Sequence, residues 1–217
     1  MSTFYKVAYR VGFTPWESLV DHSPFADALL GLVAREEVGN PPYGRALDIG
    51  TGSGTWGIEL AKRGWDVTGV ELVPKALRRA AERVTAAGVG MRLVEGDVTR
   101  LEDSQVGSGY RLLLDTGTFH GLKSSEQAAM GRSVTAVATA AATLLIDAFA
   151  PGHRGPLPRG CTREAIERAF PGWRISDVVV ADTEPEPIAR VLDRTGMLRM
   201  FALDATRDDA VAALQGA

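Results

Sequence analysis

RALDIGTGSGTWGIELAKRGWDVTGVE, residues 45–71, contains in one run the pattern that decides the fold. Apolar residues are dense over 45–49 and 66–71, which predicts two strands, and the residues over 55–63 have helical spacing. Three glycines separate the first strand from the helix. A strand, a tight loop, a helix and a second strand in this order predict one unit of a parallel sheet with a covering helix.

The same alternation continues along the chain. Helices are predicted at about 55–63, 74–87, 124–142 and 162–170, and strands at 45–49, 66–71, 91–95, 110–115, 143–149, 173–181 and 196–204. The last two strands follow each other without a convincing helix, so a near-hairpin should make one of them antiparallel. The sequence therefore predicts an α/β fold, a three-layer sandwich around a seven-stranded, mostly parallel sheet with one antiparallel strand.

The length of 217 residues fits one globular unit, which should bury roughly 70% of the surface of the unfolded chain. We assign this unit to residues 45–217. Residues 1–44 precede the first strand, and we expect them to form an N-terminal helical segment with a helix at about 24–37. Such a segment could act as a lid over an active site.

Composition and charge are ordinary for a soluble enzyme. The chain is 45% apolar and has a formal net charge of -3, which argues against a nucleic-acid partner. Arg78, Arg79 and Arg83 cluster on one predicted helix, where a solvated face is the simpler interpretation. No apolar run is long enough for a membrane span or a secretion signal, so we expect no membrane partner. Whether the protein is a monomer or a homodimer stays open.

Cysteine use points to a reducing compartment. Cys161 is the only cysteine, so neither an intrachain disulfide nor a cysteine-based metal cluster can form. We therefore expect a cytoplasmic protein, in which Cys161 is structural.

NPPY, residues 40–43, has the form of a motif with which amino-methylating nucleic-acid enzymes hold a base. That chemistry needs the motif at the carboxyl end of a buried strand, and the residues before Asn40 have helical spacing instead. NPPY also leads directly into the strand at 45–49. We therefore interpret it as a helix stop and a turn.

Gly50, Gly52 and Gly54 form a loop between a strand and a helix, which suits a ligand that lies against the backbone. A dinucleotide is the competing ligand, because Gly52, Gly54 and Gly57 spell GxGxxG and Glu71 follows at a suitable distance. Counted from Gly50, however, the third glycine of that motif would fall on a threonine. The carboxylate of Asp48 would also lie beside an anionic pyrophosphate, whereas it could attract an amino group.

These residues resemble the class I S-adenosylmethionine-dependent methyltransferases. The likeness rests on ALDIGTGSG, VTGVELVPKAL and RLVEGDV, at residues 46–54, 67–77 and 92–98, and implies a Rossmann-like fold and this cofactor. By that resemblance, Asp48 and the glycine loop hold the methionine part, and Glu71 accepts the ribose hydroxyls. Leu72, Asp97 and Val98 contact the adenine.

Asp115 is counted with the cofactor residues because of its position. Asp48, Glu71, Asp97 and Asp115 all fall at or next to the carboxyl ends of successive predicted strands. Open α/β sheets bind their ligands at this edge.

A finer resemblance concerns the methyl acceptor. The sequence DTGTFH at 115–120, TPWE at 14–17 and GPLPRGCTREAIERAF at 155–170 are similar to small bacterial methyltransferases acting on thiols, thiopurine-like compounds or heterocyclic hydroxylated toxins. His120 is the candidate general base, because an imidazole titrates near neutral pH. Trp16 and Phe119 are candidates for a substrate lid, although each could equally be a core anchor.

The loop at 150–160 is a candidate substrate loop because it is long and rich in proline and glycine. It would bring His153, Arg154 and Arg159 towards the substrate, unless these are only solvated charges. No metal is expected, because Asp147 lies inside its strand between apolar residues and offers no set of three oxygen ligands with Asp115.

Two other functions stay open. An NAD(P)-dependent oxidoreductase would need a proton donor such as a Tyr-x-x-x-Lys pair, and no tyrosine here has lysine at that spacing. A protein that binds S-adenosylmethionine without catalysis is the third possibility.

Overall fold

The computed structural model describes residues 24–149, 160–181 and 198–205 of the chain. The helices are α1 (Pro24–Glu36), α2 (Thr55–Arg63), α3 (Pro74–Ala87), α4 (Ser124–Val137) and α5 (Arg163–Ala169). The strands are β1 (Arg45–Ile49), β2 (Asp66–Glu71), β3 (Met91–Glu95), β4 (Tyr110–Thr116), β5 (Ala138–Phe149), β6 (Trp173–Ala181) and β7 (Leu198–Ala205). Short 3₁₀ turns lie at Leu101–Asp103 and Phe119–Gly121.

The seven strands form one sheet in the order β3-β2-β1-β4-β5-β7-β6. Strands β1 to β5 are parallel to one another, and β7 runs antiparallel to both β5 and β6. Among the strands that the structure describes, β7 is thus the antiparallel one, as the near-hairpin predicted. The order reverses between β1 and β4, which opens a crevice at the carboxyl ends of those strands.

The core lies on both faces of the sheet, so the molecule has three layers. One apolar cluster joins α4 and α5 to the sheet and contains the fully buried rings of Tyr110, Phe170 and Phe201. The second cluster joins α1 and α2 to the opposite face and contains Trp56 and Trp65. This confirms the predicted sandwich.

Local signals set the ends of α2 and α3 where the sequence predicts them. Pro74 begins α3, where its missing N–H costs no hydrogen bond. Each helix ends at a glycine in the left-handed conformation, Gly64 for α2 and Gly88 for α3.

The predicted helix at 124–142 was wrong in its last turn. Helix α4 ends at Val137, and Ala138 already has the extended backbone of β5. The alanine-rich sequence favours a helix, but strand pairing to β4 and the bond from the Gly109 N–H to the Val137 carbonyl (2.8 Å) replace the helical bonds. Tertiary contacts therefore override the local propensity.

Helix α1 packs on the sheet through Ala26, Leu29, Leu32 and Val33, so the described part of the N-terminal segment belongs to the core. Residues 1–23 lie outside the described part, and their role as a lid stays a prediction. The NPPY segment lies between α1 and the amino end of β1, at the edge opposite the crevice. Its interpretation as a helix stop and turn is confirmed.

Candidate functional site

The glycine loop, residues 50–54, connects β1 to α2 at the crevice. Its start is anchored to β2 by the bond from the Thr51 N–H to the Val70 carbonyl (2.9 Å). Gly50 has φ 67°, and a Cβ atom there would lie 2.0 Å from Thr118 Oγ1. Only glycine fits this position, because the loop lies directly against the segment that follows β4.

Asp48 lies under this loop and is almost completely buried, with 1% exposed surface. Its Oδ2 accepts hydrogen bonds from Thr51 Oγ1 at 2.5 Å and from the Gly57 N–H at 3.0 Å. Burial raises the pKa of Asp48 to about 6, and the charge of Glu71 adds to the rise against these two bonds. Asp48 is therefore a poorly compensated negative charge at neutral pH, which a cation would stabilise.

Gly57, which completes the dinucleotide-like GxGxxG, has a packing role here. A Cβ atom at Gly57 would lie 2.9 Å from Asp48 Oδ2 and 2.3 Å from the Met91 methyl. The third glycine thus makes room for a carboxylate, which is the opposite of what a pyrophosphate needs.

Glu71 ends β2 and binds the same loop from the other side. Its Oε2 accepts from the Gly52 N–H at 3.0 Å, and its Oε1 accepts from the Val73 N–H at 2.8 Å. Burial raises the pKa of Glu71, while these backbone bonds lower it. Leu72 follows it half-buried, next to the crevice.

Asp97 and Val98 lie in the loop after β3, which is tied to β2 by the bond from the Gly96 N–H to the Glu71 carbonyl (3.1 Å). Asp97 Oδ1 accepts from the N–H and the hydroxyl of Thr99, at 2.9 and 2.7 Å. Partial burial raises the pKa of Asp97, but the bonds from Thr99 and the charge of Arg100 bring it below its usual value. Asp97 is thus an ionised hydrogen-bond acceptor at the adenine end predicted for it.

Asp115 lies on β4 and fixes the turn that follows it. Its Oδ1 accepts from the Thr118 N–H at 2.7 Å, and its Oδ2 accepts from the Phe119 N–H at 2.8 Å. Burial raises the pKa of Asp115 to about 7, with a further contribution from the charge of Asp48. The carboxylate positions the turn at 119–121.

His120 and Phe119 lie on this turn, and both are buried. The Phe119 ring packs in the core, 5.6 Å from the ring centre of Phe170. The structure therefore gives Phe119 a packing role, and its contact with a substrate stays a prediction. His120 lies on the turn held by Asp115, two residues after Thr118, which contacts the glycine loop, and its role as a general base stays a prediction.

Asp147 on β5 is a feature that sequence reasoning left as an ordinary strand residue. It is buried, and its register places it beside Thr116, one strand from Asp115. Burial raises the pKa of Asp147 well above its usual value, and the charge of Asp115 raises it further. The signal that could have found it is an acid near the carboxyl end of an otherwise apolar strand.

The interpretation of Arg83 as part of a solvated face was wrong. Its Nη1 donates to Ser53 Oγ at 2.6 Å and to Thr55 Oγ1 at 2.7 Å, so it clamps the end of the glycine loop. Arg78 and Arg79 are exposed on α3, as expected. Periodicity alone could not separate Arg83, because its reach depends on how α3 packs beside α2.

Four predicted substrate residues, Trp16, His153, Arg154 and Arg159, lie outside the described residues. Cys161 is buried, in agreement with a structural role. Within the described ranges, no three or more His, Cys, Asp or Glu side chains are grouped as a metal site would require. Of the helices in these ranges, none has the length and apolar character to cross a membrane.

Comparison with known families supports this description. Residues 46–140 match the methyltransferase domain family. The match covers β1 to the start of β5 and therefore includes Asp48, Glu71, Asp97 and Asp115.

Curated relatives are methyltransferases with different acceptors. The chain is 31% identical to ribosomal RNA small subunit methyltransferase C of Alcanivorax borkumensis over 70 residues. These residues make up 32% of this chain and 21% of that protein. The chain is also 35% identical to EEF1A lysine methyltransferase 2 of Homo sapiens over 75 residues. These residues make up 34% of this chain and 31% of that protein. The chain spans less than two fifths of the length of the curated relatives it matches.

Solved structures share the fold at low identity. One, from work on the conversion of a disulfide bond into a thioacetal group during echinomycin biosynthesis, has a TM-score of 0.72 at 19% identity and covers both chains completely. Magnesium protoporphyrin IX methyltransferase from Synechocystis with bound SAH has a TM-score of 0.63 at 20% identity, covering 94% of this chain and 89% of that one. Together with the family match, these neighbours support the class I S-adenosylmethionine-dependent methyltransferase superfamily.

Proposed function

From a methyltransferase domain at residues 46–140, we propose that the protein transfers a methyl group from S-adenosylmethionine to a small molecule. The acceptor atom is a thiol sulfur, a hydroxyl oxygen or a heterocyclic nitrogen. The observation that carries the proposal is the pair of buried carboxylates at the glycine loop, where Glu71 accepts from the Gly52 N–H and Asp48 accepts from the Thr51 hydroxyl and from the Gly57 N–H of α2.

The charge of this pair selects the cofactor. Asp48 and Glu71 place two acids against the loop, so a pyrophosphate would meet repulsion and lose the hydrogen bonds that the backbone gives to these acids. The ammonium group of S-adenosylmethionine would instead neutralise Asp48, and the ribose hydroxyls would donate to Glu71. An NAD(P)-dependent oxidoreductase is therefore the weaker alternative.

The remaining cofactor contacts follow the order of the strands. Leu72 would lie on one face of the adenine, Asp97 would accept its amino group and the Val98 N–H would reach the ring. Asp115 would act on the methionine side by holding the turn at 119–121 against the glycine loop.

The bound cofactor supplies a methyl group on a positively charged sulfur, which leaves by in-line displacement. The chain's own residues then need to align the acceptor and exclude water. An acidic thiol needs little further help, whereas a hydroxyl or a ring nitrogen gains from a base. His120 would take that proton, because it lies on the turn between the glycine loop and the end of β4.

Support for a small acceptor comes from the similar structures connected with echinomycin biosynthesis and magnesium protoporphyrin IX. Relatives that act on ribosomal RNA or EEF1A lysine share shorter segments with the chain. The net charge of -3 also disfavours RNA. The absence of nucleic-acid and membrane partners, the monomer or homodimer and the cytoplasmic location stay predictions.

Calorimetry with S-adenosylhomocysteine and NADH tests the cofactor. We expect binding of S-adenosylhomocysteine and no binding of NADH, and the reverse result would overturn the proposal. The variant Glu71→Gln should weaken binding by about tenfold or more, because it removes a charge-assisted hydrogen-bond acceptor.

Glu95→Gln is the matched control for that variant. Glu95 pairs with Glu71 in the register of β2 and β3, but its side chain is exposed. This control should bind like the wild type. A panel of thiols, phenols and N-hydroxy heterocycles with a labelled methyl donor then identifies the acceptor, and transfer to none of them would favour a non-catalytic binding protein.

A further inference from the structure

Asp147 differs from the other acids at the crevice in its hydrogen bonding. The carboxylates of Asp48, Glu71 and Asp115 accept hydrogen bonds from backbone N–H groups. Asp147 has 7% exposed surface, and although the Ala148 N–H hydrogen-bonds its carboxyl group, its buried Oδ1 has no hydrogen-bond partner among the residues that the structure describes. A buried oxygen without a donor is costly, so such groups require a specific explanation.

Its place in the sheet suggests that explanation. Asp147 lies opposite Thr116 of β4 and two residues before the end of β5, at the carboxyl edge where these sheets bind ligands. The neighbouring strand β4 leads directly into the turn that carries His120. If the cofactor lies over β1 and β2, as the proposed function requires, Asp147 lies on the acceptor side.

The described residues offer Asp147 neither a basic partner nor a metal site. Within the described ranges no basic side chain forms an ion pair with it. Its acidic neighbour Asp115 has both oxygens bound to backbone N–H groups, and no third ligand completes a metal site in this part of the chain. The need that these residues leave unmet is a hydrogen-bond donor to Asp147 Oδ1.

Resting on the proposed function, we infer that Asp147 determines acceptor specificity by accepting a hydrogen bond from an N–H or O–H group next to the methylated atom. A site built to bind such a group discriminates against an analogue without it, because the carboxyl oxygen is then left unpaired. Acceptors with a donor beside the nucleophile are thus preferred over isosteres with a methyl group.

The test compares 2-aminothiophenol with 2-methylthiophenol in the full-length protein with S-adenosylmethionine. Both offer the same kind of nucleophile at similar size, and only the first carries an N–H donor. We expect the wild type to prefer 2-aminothiophenol by about tenfold or more in kcat/KM. In Asp147→Leu that ratio should fall to about one, and in Asp147→Asn, which keeps an acceptor oxygen, it should fall less.

Asp204→Asn is the matched control. Asp204 lies on β7 opposite Thr143 in the middle of β5, where it is partly exposed and paired with Arg174 at 3.2 Å. This variant should keep the wild-type ratio. Asp147→Leu should bind S-adenosylhomocysteine as the wild type does and should melt at the same or a higher temperature, because it removes an unpaired buried oxygen.

Binding of the two thiols to the protein saturated with S-adenosylhomocysteine gives a second measurement that needs no turnover. Equal or undetectable affinity for both thiols in the wild type overturns the inference, as does an unchanged kcat/KM ratio in Asp147→Leu. A large drop in melting temperature in that variant shows a structural role instead. Failure of the proposed function would be seen separately, as no binding of S-adenosylhomocysteine by the wild type.

Discussion

The two halves of the crevice differ in how completely the chain satisfies its own acids. On the side of β1 to β3, Glu71 accepts a bond from the Gly52 N–H of the glycine loop and Asp48 accepts one from the Gly57 N–H of α2, so this half, called the prepared half below, is held in shape by its own backbone. On the side of β4 and β5, the acceptor half of the proposed function, Asp147 keeps an oxygen without a donor from the described residues. Under the proposed function, the difference means that the prepared half is preformed for the cofactor, whereas the acceptor half is completed by the bound acceptor.

The largest expected effect comes from Gly50→Ala, which changes the glycine loop in the prepared half of the crevice. The new Cβ would meet Thr118 Oγ1 at 2.0 Å in addition to the cost of φ 67°, so cofactor affinity should fall by about 100-fold or more in calorimetry. Gly88→Ala separates the two causes, because Gly88 has φ 65° with nothing within 4 Å. This control should lose about 1 kcal/mol of stability and keep its cofactor affinity. Similar affinities for the two variants would contradict a preformed loop.

A smaller effect, confined to the acceptor half, is expected for His120→Ala. Turnover of a hydroxyl or ring-nitrogen acceptor should fall at least tenfold, because the proton has no base to receive it, while calorimetry shows unchanged cofactor affinity. Turnover of an acidic thiol should change less. If turnover of all acceptors stays at the wild-type level, His120 is a structural residue.

A third effect, which acts on stability and not on a single ligand or step, is the effect of pH on the protein without ligand. The pKa of Asp48 is about 6 and that of Asp115 about 7 in the folded state, against 3.8 for an ordinary aspartate. The folded state therefore binds more protons than the unfolded state between about pH 4 and 7, and the free energy of unfolding should fall as pH rises through 6 and 7. From pH 5 to pH 8 the loss is on the order of 3 kcal/mol.

Urea titrations at pH 5, 6, 7 and 8 measure this dependence, and repeating them with S-adenosylmethionine sharpens the comparison. The cationic cofactor stabilises ionised Asp48, so the stabilisation it gives should be larger at pH 8 than at pH 5. A free energy of unfolding that stays constant or increases from pH 5 to pH 8 without ligand would contradict the raised pKa values of these two acids in the folded state.

The prepared half is also the half that the sequence predicted best. Asp48, Glu71 and the glycines follow short local patterns, and the structure brings them together around the glycine loop because a β-α-β unit leaves little freedom between them. The role of Arg83 at the glycine loop was not predicted, because its hydrogen bonds to Ser53 and Thr55 depend on the packing of α3 beside α2.

The other half depends on contacts between residues that are far apart in sequence. The boundary between α4 and β5 was misplaced because β4 pairing converts an alanine-rich stretch into a strand. Asp147 was passed over for the same reason, since its missing donor is visible only when the neighbouring strand is in place. Local patterns were therefore enough to predict the proposed cofactor residues, whereas Asp147 could be found only from long-range packing.

Thr118 joins the two halves mechanically. Its hydroxyl would touch any side chain at Gly50 and donates to the Ile49 carbonyl at 3.3 Å, while its N–H is held by Asp115. The glycine loop and the turn with His120 can therefore not shift independently. A distortion on either side of the crevice is therefore expected to reach the other side through this one threonine.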